Sequence, residues 1–153
     1  MKQLLVICYL FVFTLACSNS TNKEASNEAA MDQNKVEEAV SEKGVGEVKE
    51  VKLNDPLNTE MIASGKGIYE LKCAACHKLS DKRVVGPGWA GITERRTPEW
   101  IMNMTLNVEE MLEKDPAARE MLKECLVKMP NQNLSRADAR DVLEFMYEND
   151  AKE

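Results

Sequence analysis

Cys73, Cys76 and His77 stand in a Cys-X-X-Cys-His run, and His77 is the sole histidine of the 153-residue chain. Two thiols three positions apart can add to the two vinyl groups of one haem, and the imidazole next in line falls under the iron as its axial ligand. A chain with this run has to fold around a large planar group fixed to it at two points. Two other uses of paired thiols compete with that reading. A structural zinc site takes four protein ligands; beyond residues 1–16 only Cys17 and Cys125 remain to complete one, with no second Cys pair and no second His. A thioredoxin-like pair sits after a strand, at a helix N-terminus in a βαβ unit. The residues ahead of Cys73 read instead as helix, so covalent haem is favoured.

The rest of the chain from Asp55 onward predicts an all-α domain of about five helices. Asp55-Pro56 opens a helix that runs to about Ala75, Asp as cap and Pro preorganised for the first turn. Thr97-Pro98 opens a second, Asn107 with Glu110 at N3 a third, and Asp115-Pro116 a fourth. Ser135 and Asp138 make a capping-box start to the last helix, which continues to about Glu148 with Val142, Phe145 and Met146 on one face. Gly86-Pro87-Gly88-Trp89-Ala90-Gly91 reads as a loop. Aromatic residues make up 5% of the chain. The core of so small a domain is therefore thin, and a covalently held haem supplies the apolar centre it lacks.

The N-terminal third has a different character. Residues 1–16 carry Lys2 and an apolar run from Leu4 to Ala16, too short to span roughly 30 Å of hydrocarbon as a helix, and read as a secretion signal. Cys17 follows Leu15 and Ala16, which resembles the lipobox of bacterial lipoproteins and implies a lipid anchor on Cys17; Thr14 departs from that pattern. Ordinary cleavage after Ala16, giving a soluble periplasmic protein, is the alternative. Residues 17–54 are rich in Ser, Asn, Glu, Ala and Lys and predict a disordered linker, whose last part from Val45 to Leu53 can lie extended on the domain. The expected organisation is thus 1–16 signal, 17–54 lipidated Cys17 and linker, 55–153 domain. A formal net charge of −6 with no basic stripe argues against nucleic acid as a partner.

From Asp55 to Asn149 the chain resembles the small class I cytochromes c of bacteria. The resemblance rests on Gly65-Lys66-Gly67-Ile68-Tyr69 ahead of Cys73-Ala74-Ala75-Cys76-His77, on Val85-Gly86-Pro87, on Met129-Pro130, and on Leu134-Ser135 leading into a terminal helix. It implies a class I cytochrome c fold with one haem c, in which the first and last helices cross through Gly65, Tyr69 and Phe145. It also implies that the Pro87 carbonyl accepts the N–H of His77, fixing the ring and making the iron-bound nitrogen more basic.

With one histidine, bis-His ligation within the chain is excluded. Met102, Met104, Met111, Met121 and Met146 fall in helical patterns and read as core, whereas Met129 stands just after a helix, before Pro130-Asn131-Gln132-Asn133, where the family places its distal ligand. His77 and Met129 are accordingly the expected iron ligands, and Met favours the ferrous state. Cys125, one helical turn earlier, could supply a thiolate; its spacing from Met121 and Leu122 reads rather as a buried core thiol. Arg95, Arg96, Trp89 and Trp100 follow the Pro87 loop, where the family takes donors to the haem propionates, and Arg95 and Trp100 are the candidates.

Lys66, Lys72, Lys78, Lys82 and Arg83 surround the haem run, and Lys123 and Lys128 precede Met129. Such a rim could steer an acidic redox partner into a transient complex. The expected function is a periplasmic one-electron carrier, not an enzyme, between a quinol-oxidising complex and a terminal oxidase or nitrogen-oxide reductase; residues 95–104 look like small lipoprotein cytochromes associated with the latter. The competing readings are a haem enzyme or gas sensor with an open sixth site, and a dedicated subunit of one reductase.

Overall fold

The computed structural model describes residues 42–125 and 127–152. The expected signal, Cys17 and the first part of the linker lie outside the described residues. Six α-helices and no strand are present among them, in keeping with the all-α class. They are α1 (Thr59–Ile68), α2 (Ile92–Arg95), α3 (Pro98–Leu106), α4 (Val108–Lys114), α5 (Pro116–Lys123) and α6 (Arg136–Asp150), with a π-helical turn, Tyr69–Cys73, continuing α1.

Local capping fixes most of these starts. Thr97 accepts from the Trp100 N–H and Asp115 from the Ala118 N–H, each with Pro at the first helical position. Ser135 and Asp138 close a full capping box. At α4, Asn107 makes no side-chain cap and donates instead to the Glu110 carboxylate. Helix α1 begins later than Asp55-Pro56 suggests. Asn58 is its cap, accepting from the N–H groups of Glu60 and Met61 at 2.9 and 3.0 Å, while its own N–H donates to Glu144 Oε1 at 2.7 Å. Glu144, fully buried on α6, also accepts from Asn54 and pairs with Arg140. A carboxylate with these partners overrides the local Asp-Pro signal. Burial raises the affinity of Glu144 for a proton, but its hydrogen bonds with Asn58, Asn54 and Arg140 outweigh it and hold the pKa below the ordinary value.

Helices α1 and α6 cross at Gly65, where an added Cβ would lie 2.1 Å from the Asp141 carbonyl oxygen and 3.0 Å from Phe145 Cβ. Only glycine permits that approach. It brings Tyr69 against Phe145, ring centroids 5.6 Å apart, into a core with Trp89, Trp100, Met102, Met111, Val142, Leu143 and Met146.

The linker boundary at residue 54 requires correction. Residues 42–54 form a strap across α3, α4 and α6, with Val48 fully buried. The polar composition hides this because the strap's backbone is satisfied by distant side chains. Asn103 receives the Val48 N–H at 3.0 Å and donates to the carbonyls of Lys43 and Val48 at 2.9 and 3.0 Å. Val51 N–H donates to Glu99, and Val45 N–H to the Met111 sulfur.

Candidate haem-binding site

The π-helical turn sets up the site. Ala74 N–H donates to the Tyr69 carbonyl at 2.9 Å, and the N–H groups of Cys76 and His77 both donate to the Cys73 carbonyl at 3.0 and 2.9 Å. The widened turn thereby gathers Cys73, Cys76 and His77 at the end of α1; such turns recur at functional sites. Both cysteines are free thiols, Cys73 buried and Cys76 half-buried. Burial pushes the Cys73 thiol up to about 11, with Cys76 adding to the rise and Lys72 opposing it.

His77 Nδ1 lies 2.8 Å from the Pro87 carbonyl oxygen. A carbonyl can only accept, so Nδ1 carries the ring proton and Nε2 keeps its lone pair. Burial lowers the pKa of His77, against the opposing pull of that hydrogen bond, which favours the neutral ring. The loop from residue 78 doubles back to deliver Pro87: Gly86 N–H donates to the Cys76 carbonyl at 2.9 Å and Trp89 N–H to that of Lys78 at 2.8 Å. Gly86 lies flush on the imidazole, since a Cβ there would meet Cε1 at 2.3 Å and Nδ1 at 2.8 Å. Tyr69 hydroxyl donates to the His77 carbonyl at 2.9 Å, and Trp89 packs 4.9 Å from the Tyr69 ring and 5.8 Å from that of His77.

Met129 is half-buried in the segment between α5 and α6. Cys125 is not the buried helical thiol its spacing suggests. Helix α5 stops at Lys123, and Cys125 is half-exposed with Arg83 Nη1 3.6 Å from its sulfur. Arg95 and Trp100 are not brought together on one free edge. Arg95 is exposed and donates to the Ala90 carbonyl. Trp100 is 3% exposed, and its indole N–H donates to Asp115 Oδ1 at 3.1 Å. Arg96 stacks over the Trp100 ring, 4.9 Å from its centroid, and has no carboxylate partner among the described residues. Its guanidinium also donates to the Arg95 carbonyl at 3.0 Å and meets the Met121 sulfur at 3.8 Å. Sequence reasoning also missed Val84, Val85 and Val127, exposed at 53, 40 and 55%. They lie in the His77–Pro87 loop and the Met129 segment.

The donors gathered at the end of α1 are two thiols and a neutral imidazole whose Nε2 keeps its lone pair. They suit a covalently attached haem: the thiols provide the two attachment points, and the imidazole is an axial ligand of the kind haem iron takes. A bare zinc ion fits less well, because among the described residues no group of three or more His, Cys, Asp or Glu converges on one point.

Comparison with known proteins gives the same direction. The family model described as cytochrome c matches residues 62–149. The solved cytochrome c from Rhodothermus marinus is 30% identical, with a TM-score of 0.71, over 75% of this chain and 98% of that one. An engineered form of that protein matches at 29% identity and a TM-score of 0.69, over 74% and 97%. The same engineered protein bound to a carbene intermediate matches at 29% and 0.66, over 74% and 97%. No curated protein sequence matches the chain.

Proposed function

Because the chain belongs to the cytochrome c family, we propose that it is a one-electron carrier whose haem is attached through Cys73 and Cys76 and ligated by His77 and Met129. Membership brings one covalently bound c-type haem with its iron, and haem-based electron transfer is the family's general activity. When bound, that group takes up and returns a single electron at the iron. The observation that carries the reading is the 2.8 Å contact from His77 Nδ1 to the Pro87 carbonyl.

Each neighbouring residue contributes to that role. Pro87 selects the tautomer, directs Nε2 outward and raises its basicity. Gly86 lets the loop lie against the ring, while Tyr69 and Trp89 fix the carbonyl and face of His77, so the ligand needs no rearrangement when the charge on the iron changes. Met129, a soft neutral donor, favours the ferrous state. Lys72 and Lys78 donate to backbone carbonyls and carry no carboxylate partner among the described residues. With exposed Val84, Val85 and Val127 they offer a partner a small apolar contact ringed by positive charge, suited to fast and short-lived encounters.

Domains of this family typically work in periplasmic or extracellular spaces. Among the described residues no helix is long and apolar enough to cross a membrane. The proposed setting is the periplasm, with Cys17 lipidated and the domain held near a quinol-oxidising donor and a terminal oxidase or nitrogen-oxide reductase. The 24 residues from Ser18 to Ser41 allow a span of at most about 80 Å. The test is the ferric spectrum of the purified holoprotein, where a far-red methionine-to-iron band is expected. A high-spin ferric spectrum without that band would point to an open sixth site and refute the carrier reading.

A further inference from the structure

Two cations flank the Cys73–His77 turn, and both reach across to the segment that carries Met129. Lys72 Nζ donates to the Gln132 carbonyl at 3.0 Å. Arg83, whose backbone pairs with that of His77 in an isolated antiparallel bridge, donates from Nη2 to the Glu124 carboxylate at 3.0 Å and from Nη1 to the Glu124 carbonyl at 3.3 Å. Apart from the Lys72 tie, the backbone of residues 127–134 makes no hydrogen bond to the backbone of the rest of the domain among the described residues. Their own bonds are local, from Gln132 Nε2 to the Pro130 carbonyl and from Asn133 N–H to Asn131 Oδ1.

The geometry points to Arg83 as a positioning residue: with Lys72 as its counterpart, it brackets the segment on both sides of Met129 and sets how often the sixth position opens to an external ligand. This rests on the reading of Met129 as axial ligand. Arginine suits the task because its planar fork serves the carboxylate and the carbonyl of one residue together, which a lysine ammonium cannot match in fixed geometry. The carbonyl it takes lies at the C-terminal end of α5, where a cation also meets the negative end of the helix dipole. Because the Arg83 and Glu124 side chains are 43 and 68% exposed, the bracket weakens as salt screens it.

Imidazole titration of the ferric holoprotein, followed by loss of the far-red band, reads the opening. Arg83→Ala should bind imidazole about fivefold more tightly than wild type and Arg83→Lys about twofold, the scale of an exposed charge-assisted pair. Raising the salt to about 0.5 M should move wild type toward Arg83→Ala and leave the variant in place. Hydrogen exchange of the Asn133 amide, which donates to Asn131 Oδ1 within the bracketed segment, is an independent readout in the same holoproteins, expected to quicken about fivefold in Arg83→Ala. If Met129→Ala keeps the far-red band while Arg83→Ala still speeds exchange, the bracket stands and the ligand assignment fails. If Met129→Ala removes the band while Arg83→Ala changes neither imidazole affinity nor exchange, the ligand assignment stands and the bracket is overturned.

Discussion

Gly65 and Gly67 sit two residues apart on α1 and should respond oppositely to the same substitution. At Gly67 an added methyl meets nothing within 4 Å. Alanine there should stabilise the domain by about 0.5–1 kcal/mol, the ordinary gain of a helix interior on losing a glycine. At Gly65 the same gain is set against a methyl 2.1 Å from the Asp141 carbonyl oxygen and 2.5 Å from its carbon. Those are backbone atoms of a fifteen-residue helix and cannot rotate away. Relief requires α1 and α6 to part by about 1 Å, a gap that forfeits a quarter to a half of each dispersion contact across the crossing. Tyr69 against Phe145 is the largest contact at risk. Overpacking of this kind costs about 1–3 kcal/mol, so Gly65→Ala should fall about 1–3 kcal/mol below Gly67→Ala, or about 4–24 °C in Tm for a domain of this size. Thermal unfolding of the two holoproteins at the same pH, followed by far-UV circular dichroism, measures the gap directly. Equal Tm values for the two variants would show that the crossing does not need its glycine, and would refute the reasoning.

Met129→Ala should abolish the far-red band and admit CO or cyanide while far-UV dichroism stays as in wild type. Cys125→Ala should cost less than about 1 kcal/mol, since the thiol is half-exposed, and move the potential by less than about 60 mV, the one-electron tenfold step; a larger shift in redox titration would place its sulfur at the iron. Glu144→Gln breaks a buried pair with Arg140 and should cost about 3 kcal/mol in urea unfolding at pH 7. Its pKa is lowered in the folded state, so its contribution is complete above the unfolded value and is lost as pH falls through the folded one. The gap between wild type and Glu144→Gln should therefore narrow on acidification, and a gap independent of pH would count against the ion pair. Cys17→Ser should shift the protein from membrane to soluble fractions with its haem spectrum unchanged, and an unmodified Cys17 thiol in wild type by mass spectrometry would end the anchor proposal.

What the sequence made legible is what is contiguous. Thr97-Pro98, Asp115-Pro116 and Ser135 with Asp138 carry their capping partners within three residues, and the helices begin there. Asn58 could not be picked in the same way, because its deciding partner, Glu144, lies 86 positions away. The stretch from Val45 to Leu53 was legible as one that can lie extended on the domain, but not what fastens it, because its backbone is met by Asn103, Glu99 and Met111 from far along the chain. In the site, Cys73, Cys76 and His77 are adjacent and readable. The engagement of the Trp100 N–H by Asp115, and the reach of Arg83 to Glu124, depend on which loops meet, and the residue types alone do not encode that.

The strap also decides how mechanical load enters the domain. A pull applied upstream of Glu42 acts first on the Thr97 hydroxyl at the Glu42 carbonyl and on the contacts that Asn103, Glu99 and Met111 make with residues 43–51. The next fastenings along the chain are the bond from Arg140 to the Lys52 carbonyl and the pair from Asn54 and Asn58 to Glu144. Only after all of these have given way does tension reach α1 and the turn bearing Cys73 and His77. The domain could thus be tugged at its N-terminal end with the strap as strain relief, while the geometry around His77 stays undisturbed.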